Sequence, residues 1–274
     1  MPEIDRRAEP ATPPAQTIVV CLDSSRSGHA ALRWAAEYAR LHRSPITLAL
    51  RTAEAPGAEG LADALATVRE IAPGPTVDVR RRRCLRGPAE LAEAGDGLLV
   101  LPADAPNAVS HALDAGCRVA FVPDRPASEG PVLLGVTTST ADEAIGSAFQ
   151  EATTRKAVLR AVRVWFDPAV PIGLPTPEAF AAFDEAARRA QRELDAKVDG
   201  WAAEYPAVQV RKLVIADDPA SALAALTHRA RLLVVGQSAR DNKTAVRLRS
   251  PLARVLRATR CPVLVVPDHV PHRR

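Results

Sequence analysis

One strand-like segment occurs twice in this chain of 274 residues, and this internal repeat limits the folds open to the chain more than any other feature. Residues Thr17–Asp23 (TIVVCLD) match Pro131–Thr137 (PVLLGVT), and both are short apolar runs typical of buried strands. Each run is followed by a turn rich in Ser and Thr and then by apolar residues at helical spacing, in Gly28–His42 and in Ala141–Arg155. The sequence therefore predicts two related units that each begin with a strand and a helix.

Both copies continue to alternate strands and helices. Further strand pairs are predicted at 46–50 and 159–164, 77–80 and 208–211, 97–102 and 231–236, and 118–123 and 262–267. Such alternation implies parallel strands joined by right-handed crossovers. Aromatic residues make up only 4% of the chain, so the core must consist mainly of Val, Leu, Ile and Ala, as suits parallel strands covered on both sides. We predict an α/β fold of two repeated, doubly wound, five-stranded parallel sheets with helices on both faces.

The repeat also sets the expected domain boundaries. We expect a disordered N-terminal tail at 1–15, a first domain at 16–124, a linker at 125–130, a second domain at 131–268 and a C-terminal tail at 269–274. The second copy is longer between its second and third strands, and we assign that extra length to a loop at Pro168–Pro177. The first copy is shorter between its fourth and fifth strands.

Charge and cysteine content point to no particular chemistry. The net charge of +4 is a small excess, so nucleic acid is an unlikely partner, although Arg80–Arg83 forms either a solvated loop after a strand or an anion or partner patch. The four cysteines are scattered and are interpreted as buried, reduced thiols: Cys21, Cys84, Cys117 and Cys261. No apolar run reaches the ~20 residues that cross a bilayer, so we expect a cytoplasmic protein that does not contact membrane.

The end of the second copy carries the most informative motif. A strand ending in Gly236 leads through a polar loop to Ser250–Leu256, which reads as a helix start, and then to the strand Pro262–Pro267. This order resembles the universal stress protein family, and Leu134–Ser139 resembles that family's first strand and turn. The resemblance covers nearly the whole chain and implies a tandem member with a Rossmann-like fold.

The resemblance implies ATP binding through an Asp that ends the first strand and a loop of the form Gly-x2-Gly-x9-Gly-Ser/Thr. Glycines let backbone N–H groups approach phosphate, and the following helix offers its positive end. The second copy keeps the first glycine and the final hydroxyl, whereas the acid and the other two glycines are replaced; the positions concerned are Gly236, Ser250, Thr137, Ala239 and Arg249. The first copy keeps Asp23 but has Pro102 where the loop's first glycine belongs. We therefore predict weak or no ATP binding and no certain cofactor.

Two functions from different classes follow from this interpretation. The first is a non-enzymatic stress-response scaffold that docks an unknown protein partner and whose own two domains pair through the fifth strands, 118–122 and 263–266. The alternative is a sensor that binds ATP, another adenine nucleotide or another anion at the loop 236–250, where Arg249 either helps to hold the ligand or fills its place. A homodimer, and binding of a nucleic acid or an acidic partner through Arg80–Arg86, remain open.

Enzymatic activity is not predicted. Neither first strand is followed by a glycine-rich pyrophosphate loop, and no His-x-Gly-His cluster is present. Ser110 and His111 are neighbours in a predicted helix, so their side chains point in different directions and do not form a nucleophile and base. We assign no catalytic and no metal-binding residue.

Overall fold

The computed structural model describes residues 17–22, 25–50, 57–74, 77–78, 97–105, 107–127, 129–165, 176–237 and 251–268. The predicted terminal tails, Cys84 and Arg80–Arg83 lie outside these residues. The first half contains β1 (Ile18–Leu22), α1 (Arg26–His42), β2 (Ile46–Leu50), α2 (Ala58–Ile71), β3 (Val77–Asp78), β4 (Leu98–Pro102), α3 (Ala108–Asp114) and β5 (Arg118–Val122). The second half contains β6 (Val132–Val136), α4 (Asp142–Thr154), β7 (Leu159–Trp165), α5 (Pro177–Glu204), β8 (Val210–Ala216), α6 (Pro219–Thr227), β9 (Leu232–Gln237), α7 (Pro251–Ala258) and β10 (Val263–Pro267).

The ten strands form one continuous sheet in the order β3-β2-β1-β4-β5-β10-β9-β6-β7-β8. Within each half all pairs are parallel, and the halves join where β5 and β10 pair antiparallel, with Val119 opposite Val265. The predicted α/β fold is confirmed, as is the predicted pairing of the two fifth strands. This pairing gives each half a neighbour for a strand edge that would otherwise be exposed.

Two apolar layers, one on each face of the sheet, run through both halves. One includes Trp34 and Tyr38 of α1 together with Phe149 of α4, and the other includes Leu113 of α3 together with Leu256 of α7. Because each layer contains residues from both halves, the halves bury their apolar surfaces jointly. The boundaries predicted for two separate domains stay a prediction.

Local sequence accounts for the helix starts. The Ser25 hydroxyl accepts from the Gly28 N–H at 2.9 Å and caps α1, while Thr176 caps α5, whose first residue is Pro177. Asp218 caps α6 in the same way, as its side chain accepts from the Ser221 N–H at 3.1 Å. The predicted helix starts at Gly28 and Ala141 lie within two residues of those observed.

Two predictions about the second half were wrong in detail. The extra length was assigned to a loop at Pro168–Pro177, most of which lies outside the described residues. Much of that length instead belongs to α5, which has 28 residues whereas its counterpart α2 has 14. The strand predicted at 208–211 instead runs over Val210–Ala216. Its second and third residues are Arg211 and Lys212, which interrupt the apolar run near the start of the strand.

Candidate functional site

A cavity of about 250 Å³ lies at the carboxyl ends of the strands in the second half. It opens between β6 and β9, which are neighbouring strands of the sheet. The connections that follow these two strands lie on opposite faces of the sheet. Open parallel sheets usually bind ligands at this point. Its lining comes from two helices, three strands and one turn: Gly135, Val136, Thr137, Ser139, Thr140, Val162, Val164, Pro219, Leu223, Val235, Gly236, Pro251, Leu252 and Val255.

The walls of the cavity are apolar. Val162 and Val164 reach it from β7, Leu223 from α6, and Leu252 and Val255 from α7. Val162 and Val164 are alternate residues of one strand and therefore face the same side of the sheet. Small-molecule pockets in proteins usually have volumes of about 300–1,000 Å³, so this cavity suits a small or flat ligand.

Hydroxyl groups of the turn after β6 form the polar rim. The Thr137 N–H donates to the Thr140 hydroxyl at 2.8 Å, and the Thr137 hydroxyl lies 3.1 Å from those of Ser139 and Thr140. Lys197 of α5 donates to the Thr140 carbonyl oxygen at 2.9 Å. The turn is therefore held by bonds within itself and by one bond from α5, and it presents neutral donors and acceptors to the cavity.

Gly236 brings the end of β9 close to the start of α4. A Cβ added at this position would lie 3.4 Å from Cβ of Ala144 and 3.7 Å from Cγ2 of Thr140. A larger side chain would therefore enter the space beside the turn. An added Cβ alone would make only ordinary van der Waals contacts, so a larger side chain, and not the Cβ itself, would affect the site.

The structure brings together two of the predicted site residues. Thr137 and Gly236 line the same cavity, and none of the other described residues fills the space beside them. Ala239, Arg249 and Ser250 lie outside the described residues, as does Asp23 of the first half. The sequence analysis missed the apolar wall, because Val162, Val164 and Leu223 fit equally well as ordinary core residues.

The corresponding place in the first half is arranged differently. Asp104, two residues after β4, accepts a hydrogen bond from the buried hydroxyl of Ser27 in the first turn of α1. Ser27 in turn lies 2.9 Å from the hydroxyl of Ser25. The Asp104 carboxylate therefore connects the first turn of α1 to the segment that follows β4.

A buried polar cluster joins the two halves on the other face of the sheet. Glu151 of α4 is 2% exposed and contacts His42 of α1 at 3.2 Å and Arg155 at 2.9 Å. The Arg155 guanidinium lies 5.9 Å from the ring centroids of both Trp34 and Tyr38. Burial alone would raise the pKa of Glu151, but the hydrogen bond from His42 and the charge of Arg155 outweigh it and hold that pKa below its usual value.

The cysteines of the described residues are buried. Cys21, Cys117 and Cys261 are buried thiols that form no disulfide within the described part of the chain, as predicted. Burial raises the pKa of Cys117 to about 11 and that of Cys261 to about 12. Such thiols stay protonated and unreactive.

Among the described residues, no group of three or more His, Cys, Asp or Glu side chains could hold a metal ion. No helix in the part of the chain that the structure describes is both long and apolar enough to span a membrane.

Sequence comparison finds relatives over most of the chain. The model of the "Universal stress protein family" matches residues 130–267, which is half of the chain. A universal stress protein of Mycobacterium tuberculosis (strain ATCC 25618 / H37Rv) is 36% identical over 168 residues, which are 61% of this chain but only 53% of that relative. The chain thus matches about half the length of this relative. A universal stress protein of Mycolicibacterium smegmatis is 30% identical over 289 residues, covering 91% of this chain and 96% of the relative.

Solved structures resemble the whole architecture. A universal stress protein from Archaeoglobus fulgidus has a TM-score of 0.66 at 14% identity, covering 93% of this chain and 100% of that one. A functionally unknown protein from Pseudomonas aeruginosa PAO1 also has a TM-score of 0.66, at 19% identity, covering 94% and 95% of the two chains. Likeness at such low identity shows a shared fold.

Proposed function

We propose that this chain, which belongs to the universal stress protein family, is a non-enzymatic sensor that binds an adenine nucleoside or nucleotide in its second half. Family membership gives the chain its role in the stress response. The observation that carries the ligand proposal is the open cavity between Thr137 and Gly236 at the carboxyl ends of the strands. The loop 236–250, which lies mostly outside the described residues, would complete this site.

The lining of the cavity matches the parts of such a ligand. The apolar wall formed by Val162, Val164 and Leu223 suits a flat base, and the hydroxyls of Thr137 and Ser139 suit a sugar. Thr137 cannot accept hydrogen bonds as strongly as the carboxylate that the family motif has at this position. We therefore expect binding that depends more on the base than on the phosphates, with ATP bound weakly.

The absence of catalytic activity belongs to the same proposal. Among the described residues that line the cavity there is no His, Cys, Asp, Glu, Lys or Tyr. General acid–base catalysis by side chains needs such a group within hydrogen-bond reach of the ligand. The hydroxyls of Thr137, Ser139 and Thr140 would need one beside them as a base in order to act as nucleophiles. This lining supports a site that holds a ligand without converting it.

Isothermal titration calorimetry with adenosine, AMP, ADP, ATP and cyclic AMP tests the proposal. We expect saturable binding of at least one of these by the wild type and a loss of at least about tenfold in Leu223→Trp, whose indole would fill the cavity. Leu226→Trp is the matched control, because Leu226 lies on the same helix but does not line the cavity. Absence of binding across the panel would refute the sensor.

A second candidate function, docking of a protein partner, is favoured by an exposed aromatic patch. Phe180 and Phe183 on the first turns of α5 are 61% and 42% exposed, and the Phe183 ring lies 5.1 Å from that of Trp165. Exposed aromatic clusters are frequent at protein interfaces. If docking is the function, Phe180→Ser/Phe183→Ser abolishes partner capture while Leu223→Trp leaves it unchanged, and the reverse result favours the sensor.

A further inference from the structure

β8 lies at one end of the ten-stranded sheet and is paired on one side. Its residues, Val210–Ala216, all lie opposite residues of β7, and among the described residues no strand lies along its other side. The strand at the opposite end of the sheet, β3, has only two residues. A long edge with free backbone groups is a template for one more strand. β8 is therefore the place at which this sheet can be extended.

The hydrogen bonds at the two ends of β8 determine which of its backbone groups face outward. The Leu159 N–H donates to the Gln209 carbonyl at 3.0 Å, and the Asp217 N–H donates to the Trp165 carbonyl at 3.1 Å. Gln209 and Asp217 therefore direct their backbone groups towards β7, and because the direction alternates along a strand, so does Leu213 midway between them. The N–H and C=O groups that point to the open side belong to Val210, Lys212, Val214 and Ala216.

The side chains of β8 do not protect this edge. Leu213, at the centre of the strand, is 37% exposed. Natural edge strands are often guarded by charged side chains, above all by lysine. The Lys212 ammonium is instead bound to the carboxylates of Asp195 and Asp199 on α5. Its charge is therefore compensated within the chain and drawn away from the edge.

We infer that β8 pairs antiparallel with β8 of a second copy of this chain, about a two-fold axis at Leu213. In this register Lys212 of each copy lies opposite Val214 of the other, and their outward N–H and C=O groups can bond in pairs. Leu213 lies opposite Leu213 of the second copy as a non-hydrogen-bonded pair, in which side chains approach most closely. The two exposed leucines then cover each other.

The same register is complementary in charge, which favours a second copy over an unrelated strand. Arg211 lies opposite Ile215 of the second copy and diagonally to Asp217 of the second copy, and the two charged side chains are exposed. Diagonal neighbours are roughly 7–8 Å apart, within reach of a long side chain such as arginine. The two-fold axis makes this contact occur twice. The inference does not depend on the proposed ligand.

Disulfide trapping of the full chain tests the register. Leu213→Cys, in a Cys84→Ser background, would place two thiols with their Cβ atoms roughly 4.5–5.5 Å apart, close to the separation that a disulfide spans. We expect it to form a covalent dimer under mild oxidation, seen on a non-reducing gel. Arg211→Cys is the matched control, because its two copies would lie roughly 13 Å apart along the strands and should not crosslink. No crosslinking of Leu213→Cys, or equal crosslinking of both variants, would overturn the inference.

Sedimentation equilibrium tests the pairing without introduced cysteines. We expect the wild type to form a reversible dimer with a Kd on the order of 1–100 μM, as suits a small interface, and Leu213→Lys to raise this Kd at least about tenfold by opposing like charges. Phe180→Lys, at an exposed apolar residue of α5, is the control and should dimerise normally. A monomeric wild type, or a dimer lost in Phe180→Lys but kept in Leu213→Lys, would refute pairing through β8.

A second variant covers the case in which Leu213→Lys folds poorly. Val214→Pro removes an N–H that points to the open side, and proline is tolerated at such positions of edge strands. The bonds to β7 stay in place, whereas a bond to the second copy is lost, so the Kd for dimerisation should rise by a similar factor. An unchanged Kd in Val214→Pro would likewise overturn the inference.

Discussion

Glu151 Oε1 of the second half lies 3.2 Å from His42 Nε2 of the first half, at a place where neither side chain is more than 12% exposed. The partners of the carboxylate are His42 and Tyr38 on α1 and Arg155 on its own helix. The antiparallel pairing of β5 and β10 fixes the edge at which the halves meet, and this cluster adds specific polar contacts above it. A buried carboxylate with partners in both halves is stable only when the halves keep this arrangement.

Removal of Glu151 alone should be more harmful than removal of the ion pair. Glu151→Leu leaves the Arg155 guanidinium buried without its carboxylate, and we expect a loss of about 3–5 kcal/mol in the free energy of unfolding, measured in urea. The double variant Glu151→Leu/Arg155→Leu should lose clearly less, because no uncompensated charge remains. Equal losses in the single and double variants would show that the pair itself does not matter.

The cluster should also make stability depend on acid. The pKa of Glu151 is held below its ordinary value of 4.5 in the folded protein. The folded chain therefore stabilises the ionised carboxylate more than the unfolded chain does. This contribution is fully present above pH 4.5 and is lost as the pH falls through the lower, folded-state pKa. The difference in free energy of unfolding between wild type and Glu151→Gln, measured in urea from about pH 7 to pH 3, should therefore become smaller as the pH falls below 4.5. A difference that stays constant over this range would contradict the explanation.

The strand pattern was predictable because it depends on short-range signals. Apolar runs such as Ile18–Leu22 and Val263–Pro267 can be recognised in the sequence as buried strands, and the repeat indicates how these strands pair. The motif around Gly236 was enough to predict the family, and this prediction is confirmed. The sequence did not reveal the Glu151 cluster, since His42, Glu151 and Arg155 have the spacing of ordinary polar helix residues. Their burial arises from contact between the halves, which no local pattern contains.

The candidate site was predictable only in part. Thr137 and Gly236 could be located because Thr137 directly follows β6 and Gly236 is the last but one residue of β9, two strands of the repeat. The cavity also depends on how α6 and α7 lie against the sheet, and this arrangement is set by long-range contacts such as the bidentate pair between Arg254 and Asp218, at 2.8 and 2.9 Å. Contacts of this kind cannot be read from one sequence.

Restoring an acid at the end of β6 should strengthen nucleoside binding. In Thr137→Asp a carboxylate would stand at the cavity rim, where it can accept charge-assisted hydrogen bonds from sugar hydroxyls. We expect the Kd for adenosine to fall by about three- to tenfold, measured by calorimetry, with a smaller gain for ATP because its phosphates are repelled. Thr137→Val is the control and should bind no better than the wild type. Unchanged or weaker adenosine binding by Thr137→Asp would argue against a sugar at this rim.

The linker before β6 contains a glycine that should tolerate no replacement. Gly130 has a φ of 113°, which side chains of L-residues rarely adopt, and a Cβ at this position would lie 2.3 Å from the carbonyl oxygen of Arg229. The obstacle is backbone in the turn before β9, where the Arg231 N–H donates to the Pro131 carbonyl at 3.1 Å, so neither segment can move without disturbing the other.

We therefore expect Gly130→Ala to lower the free energy of unfolding by about 2–3 kcal/mol, measured in urea. Gly116→Ala is the matched control, because an added Cβ there meets nothing within 4 Å, and it should change stability by no more than about 0.5 kcal/mol. Because the strain lies where the first half leads into the second, the loss should also appear as faster proteolysis near residue 130. Equal unfolding midpoints for the two variants would mean that the linker relaxes freely and that the close approach of Gly130 to Arg229 is not required for folding.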